Sequence, residues 1–185
     1  MSKKIALLSA AALGALALTA TVVAPVRAAE EKTVMVGGAA MFPSKNIIQN
    51  AVNSKDHTTL VAAVKAAGLV STLEGKGPFT VFAPTNAAFG KLPSGTVDNL
   101  VKPENKATLT KILTYHVVPG KLEASDLTDG KKLKTVEGEE LTVKKMDGKT
   151  WIIDAKGDSS MVTISNVNQS NGVIHVIDAV LMPAS

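Results

Sequence analysis

Each of the three histidines in this 185-residue chain has a neighbour that could give it chemistry: His57 follows Asp56, His116 follows Tyr115, and His175 lies three residues before Asp178. An imidazole beside a carboxylate can act as a general base or a metal ligand. The surrounding pattern argues against both. Hydrolysis needs a nucleophile, a base and an orienting group in contact, yet there is neither a G-x-S-x-G elbow nor an H-E-x-x-H zinc helix. One histidine and one carboxylate are too few ligands for zinc, and no cysteine is present to supply a thiolate, a disulfide or a nucleophile. The phosphate-cradling patterns G-x-x-x-x-G-K-[ST] and G-x-G-x-x-G are also missing. The expectation is a protein without catalysis, metal or cofactor. Asp56 is then read as a helix N-cap, and His175 as a core histidine held by hydrogen bonds.

Two groups remain as candidates for partner binding. The first is Tyr115-His116, a phenol beside an imidazole, read as lying on a strand; successive strand residues face opposite sides, so the two cannot share one pocket. The second is Lys131-Lys132-Leu133-Lys134, with Lys144, Lys145 and Lys149 further on. Asp129, Glu137, Glu139, Glu140 and Asp147 are interspersed, a pattern that also suits a solvated strand edge which discourages pairing. Nucleic acid is not an expected partner, because six aromatic residues leave few stacking surfaces.

The net charge of +4 divides unevenly. Lys3, Lys4 and Arg27 stand before residue 29 with no acidic residue among them, leaving 17 basic against 16 acidic side chains beyond. The uncharged run from Ile5 to Val26 and the small residues around Arg27-Ala28 read as a secretory signal peptide at 1–28, cleaved after Ala28. Retention as an anchor is the alternative, since about 20 apolar residues can span a bilayer. No second hydrophobic span follows, and the destination expected is secreted or periplasmic.

Residues 29–43 show no sustained period and read as a flexible lead-in, with Gly37-Gly38 as a linker. Ser44 is placed to cap a short helix carrying Ile47, Ile48, Ala51 and Val52. A second helix runs from Asp56 through Leu60, Val61, Val64 and Ala67 to a left-handed stop at Gly68. Phe79-Thr80-Val81-Phe82 suits a buried strand, Thr85 caps a helix through Phe89, and a helix opened by Pro103 ends near Thr114. Short strand-like runs follow at 133–136, 141–146, 150–154, 161–167 and 173–181, with Asp147-Gly148 as a hairpin turn. Helices first and strands mostly after predict an α+β fold.

Three blocks carry a resemblance: GPFTVFAPTNAAFGKLP (77–93), LTYHVVPGKL (113–122) and NGVIHVIDAVLMP (171–183). In this order they resemble the fasciclin, or FAS1, domain, of the bacterial secreted single-domain type, over residues 44–183. The resemblance implies a β-wedge with a helical layer, and a noncatalytic role in adhesion to a cell-surface or matrix protein or glycan, as a monomer or weak homo-oligomer. It associates Tyr115-His116 with receptor binding. An integrin motif of related matrix proteins is absent, because the segment before the last block reads Asn166-Val167-Asn168-Gln169-Ser170. The blocks themselves read as structural: Phe79, Val81, Phe82 and Phe89 give bulk to a core poor in aromatics, Asn171-Gly172 gives a turn, and His175 and Asp178 belong to a final buried strand. A soluble envelope protein that binds a small apolar ligand between sheet and helices is the rival reading; a well-formed apolar cavity with a few polar groups would favour it.

Overall fold

The computed structural model describes residues 32–184; the expected leader at 1–28 lies outside the described residues. A hairpin of β1 (Val34–Val36) and β2 (Ala39–Met41) comes first, then α1 (Ile47–Ala51), α2 (Thr58–Ala67) and α3 (Val70–Leu73). Strand β3 (Phe79–Pro84) leads to α4 (Asn86–Gly90), α5 (Thr96–Leu100) and α6 (Lys106–Tyr115). The remainder is β4 (Val117–Pro119), β5 (Lys132–Lys134), β6 (Glu140–Met146), β7 (Lys149–Ile153), β8 (Ser159–Gln169) and β9 (Gly172–Ile177).

Strands β3 to β9 form one sheet in the order β4-β3-β9-β8-β7-β6-β5, antiparallel throughout except for the parallel pair β3 and β9. The central strands are apolar on both sides because each side meets a different core. Val81, Ala83, Ile174 and Val176 pack with Leu60, Val64, Leu109 and Leu113 of the helices. Alternate residues Phe82 and Ile177 face a second core with Leu133, Leu141, Val143 and Ile152. The second core forms because the sheet curls on itself. Two register shifts in β8, with Asn166 at φ 57°, increase its local twist, and Val136 N–H donates to Val117 O at 2.8 Å between the two ends of the sheet.

The turn into β9 is the tightest point. Asn171 Oδ1 accepts from Ile47 N–H at 3.1 Å, and its Nδ2 donates to Leu73 O at 2.6 Å and Gly75 O at 3.0 Å, joining α1 and α3 to the sheet. A Cβ on Gly172 would sit 2.0 Å from Phe79 O, and one on Gly77 would sit 2.2 Å from Asn171 O, so neither position has room for a side chain.

Several expectations are corrected. Residues 34–41, read as part of a flexible lead-in, form the β1–β2 hairpin with Val36 and Met41 in the core, and Gly37-Gly38 is its turn with both φ positive. Asn46, not Ser44, caps α1, through a capping box with Gln49. Asp56 lies in a 3₁₀ turn and does not cap α2; Asn86 does so from afar, its Oδ1 accepting from Thr59 N–H at 3.0 Å. Tyr115 ends helix α6 instead of opening a strand. Strand β9 stops at Ile177, so Asp178, Val180 and Leu181 belong to the segment after it. The left-handed stop at Gly68 (φ 73°), the Thr85 cap (Ala88 N–H to Oγ1, 3.2 Å) and the Asp147-Gly148 turn are as the sequence predicts.

Replacing Gly172 by Ala forces backbone to move at the β3–β9 junction, with an expected loss of about 3 kcal/mol or more. Urea unfolding checks it: a midpoint within error of the wild type contradicts the close approach.

Candidate functional site: buried imidazoles, a small cavity and a basic edge

Tyr115 and His116 come together at the end of α6, and both side chains are buried. The Tyr115 hydroxyl accepts from Ala155 N–H at 2.8 Å and donates to Glu140 O at 3.3 Å. Burial pushes the phenol up to about 12, with Asp154, Glu139 and Glu137 adding to the rise. His116 Nδ1 meets Ile112 O at 2.8 Å, and its Nε2 accepts from Leu181 N–H at 3.0 Å. This arrangement needs a neutral ring with its proton on Nδ1, and burial holds the group down at about 4. The pair therefore locks α6 and the last segment onto the sheet and presents no side chain to a partner in this conformation.

His175 is likewise buried. Its Nε2 meets Leu122 O at 2.7 Å, its Nδ1 accepts from Asn166 N–H at 3.4 Å, and its ring stacks on Phe82 with centroids 5.7 Å apart. Burial lowers its pKa. Asp178 is engaged elsewhere: Oδ1 accepts from Met161 N–H at 2.8 Å, and Oδ2 lies 3.4 Å from Lys91 Nζ. The two form no dyad.

His57, read only as a neighbour of Asp56, sits in the wall of an apolar cavity of about 40 Å³. The cavity lies between α1, α2 and the sheet, with Ile48, Leu60, Val81 and Ile174 among its lining residues. His57 Nδ1 is 2.8 Å from Ser54 Oγ, while Nε2 is buried without a hydrogen bond. Burial lowers its pKa, opposed by the nearby backbone of Ala83 and the charge of Asp56. No spacing in the sequence signals this, because the cavity wall draws on elements far apart in the chain.

The lysines of the 131–134 run are divided. Lys131 Nζ donates to Asp126 O at 2.8 Å, and Lys132 Nζ lies 3.4 Å from a Glu140 carboxylate oxygen, both partners exposed. Lys134 extends into solvent beside them on β5. Exposed pairs of this kind are worth about 1 kcal/mol or less, so the edge holds its charge loosely. Among the described residues no cluster of three His, Cys, Asp or Glu is placed to hold a metal ion, and no helix is long and apolar enough to cross a membrane.

A curled sheet clasping one core, with a helical layer over its other face and the histidines used as joints, defines a class. The fasciclin-domain model matches residues 55–183, and the chain belongs to the fasciclin family. It is 50% identical over 153 residues to protein sll1483 of Synechocystis, covering 83% of this chain and 82% of that one. It is 38% identical over 157 residues to the cell surface glycolipoprotein MPB83 of Mycobacterium bovis, covering 80% of this chain and 64% of the relative. A solved FAS1 domain pair from the insect cell adhesion molecule Fasciclin I shares the fold, with a TM-score of 0.68, 21% identity, and coverage of 76% and 52% of the two chains.

All three imidazoles are lowered by burial, so the unfolded chain binds more protons than the folded one below its ordinary histidine range, near 6.5. Stability should be fully present above that value and decline as pH falls toward about 4, where His116 titrates in the fold. His116 alone accounts for up to about 3 kcal/mol of this decline. Urea midpoints at pH 7.5, 6 and 4.5 test it, and a flat profile contradicts neutral, buried rings. Separately, His175→Ala should cost about 1–3 kcal/mol by leaving Leu122 O and Asn166 N–H unpaired; an unchanged melting temperature would refute that role.

Proposed function

We propose that this protein is a noncatalytic, exported fasciclin domain that makes contacts at a cell surface or extracellular matrix through its outer face. The observation that carries the reading is how the chemically capable side chains are used. His116, His175 and Asp178 hold backbone groups of the fold, as the hydrogen bonds above describe, so the chemistry available to a partner is that of the surface. Family membership, a relative named as a cell surface glycolipoprotein and a structural neighbour named as a cell adhesion molecule support the same direction. The leader-like first 28 residues supply the export route. One domain offers one attachment point, so strong adhesion requires many copies on a surface or self-association.

The cavity beside His57 supports a second reading, binding of a small apolar ligand. Its volume limits that reading. A water-sized group needs about 10–15 Å³ of such space, so 40 Å³ holds about three heavy atoms. That admits the tip of an alkyl chain with an oxygen facing Nε2, but not a whole ligand of ordinary size, and the surface role is favoured.

Purified residues 29–185 should adsorb saturably to envelopes or matrix from the producing organism. Absence of saturable adsorption on every surface, with a small molecule retained in native mass spectrometry, would replace this reading by the second.

A further inference from the structure

The outer face of β5 to β8 carries an arrangement that neither the buried histidines nor the cavity explains. Leu133, Leu141, Val143 and Ile152 belong to the second core and Ser160 is buried, so the residues alternating with them face outward. In register, Lys144 on β6 stands opposite Trp151 on β7, which stands opposite Met161 on β8. The adjoining row is Lys132, Thr142, Ile153 and Ser159, and Lys149 flanks Trp151 on its own strand opposite Met146. Trp151 is the sole tryptophan of the chain and is only half-buried.

Its polar atom is free. Trp151 Nε1–H has no acceptor among the described residues and is not among the buried unsatisfied atoms, so it reaches solvent. The cations are free as well. Lys134, Lys144 and Lys149 are exposed and take part in none of the ion pairs among the described residues, whereas Lys132 is shared with Glu140. Among the described residues Lys45 over Phe42 is the cation held on an aromatic ring, and Lys144 makes no such contact with the indole beside it. The outward rows thus set four lysines against one carboxylate, Glu140, around a partly exposed indole.

We propose that this face binds an anionic polysaccharide, one sugar ring lying on Trp151. The C–H groups of a pyranose carry partial positive charge and suit the electron-rich face of the indole. Nε1–H donates to a sugar oxygen, and Lys144, Lys149 and Lys134 meet carboxylate or sulfate groups along the chain. A peptide strand is a poorer occupant, because β7 is hydrogen-bonded on both edges by β6 and β8 and offers only its side-chain face. The proposal rests on the surface-contact reading and names its partner class.

The sole tryptophan makes the test direct. Titrating the full chain with alginate, a polyuronate, or dextran sulfate should shift or quench its emission saturably at low salt, while neutral dextran leaves it unchanged. By calorimetry, Trp151→Ala should weaken binding about tenfold and Trp151→Phe much less, because a phenyl ring retains part of the stacking surface. Lys144→Gln and Lys149→Gln should each lower both affinity and its salt dependence while leaving the melting temperature unchanged. Three outcomes overturn the site: no response to either polyanion, binding indifferent to Trp151→Ala, or neutral dextran binding as tightly. Saturable adsorption to envelopes with no polyanion response removes this site and leaves the surface-contact reading. Polyanion binding through Trp151 without envelope adsorption keeps the site and removes that reading.

Discussion

The parallel contact between β3 and β9 is the constraint on which the rest of the structure depends. Phe79 and Gly172 come so close that a side chain at Gly172 would collide with Phe79 O, and Gly77 is pressed against Asn171 in the same way. Once these backbones are in register, Val81 and Ile174 are committed to the helical side, and Phe82 and Ile177 to the inside of the curled sheet. Both cores are therefore set from one pair of strands. Asn171 extends the constraint outward, since its side chain takes one backbone group from α1 and two from the end of α3 and the loop beyond it. A buried amide with all these bonds made fixes geometry more strongly than apolar contact alone, because any alternative leaves polar groups unpaired in a low dielectric.

The imidazoles serve the same end by a different route. His116 and His175 each bridge two backbone groups that regular secondary structure leaves over, one at the end of α6 and one at the bulge of β8. A neutral imidazole suits such places because it donates at one nitrogen and accepts at the other. The same property ties the fold to pH, since a charged ring donates twice and loses its acceptor. The histidines are enclosed, and the outer sheet face presents lysines, Glu140, short polar side chains, Met146, Met161, Ile153 and one indole.

Much of the fold was legible along the chain. The strand at Phe79–Phe82, the Gly68 stop, the Thr85 cap and the Asp147-Gly148 turn depend on short-range rules, and those positions behave as their residue types demand. The errors fall where a distant partner decides. The β1–β2 hairpin is too short to show a period and is ordered by burial of Val36 and Met41 against the helices. The β-favouring neighbours of Tyr115 suit a strand, but the hydroxyl bonds to Ala155 and Glu140 hold it at the end of a helix. The α2 cap comes from Asn86, whose role no local window around Asp56 contains.

By itself the sequence determined the class of the protein, because composition, period and ordered motifs are local quantities. It also limited what chemistry was available, since no cysteine or catalytic motif is present. Only the tertiary structure decided which candidates are enclosed and which face solvent. Tyr115 and His116 went inside, Trp151 came to lie between Lys144 and Met161, and a small cavity opened beside His57. The physical reason is that exposure and juxtaposition are properties of the curled sheet as a whole. Strand register places residues far apart in the chain side by side, and no spacing read along the chain carries that information.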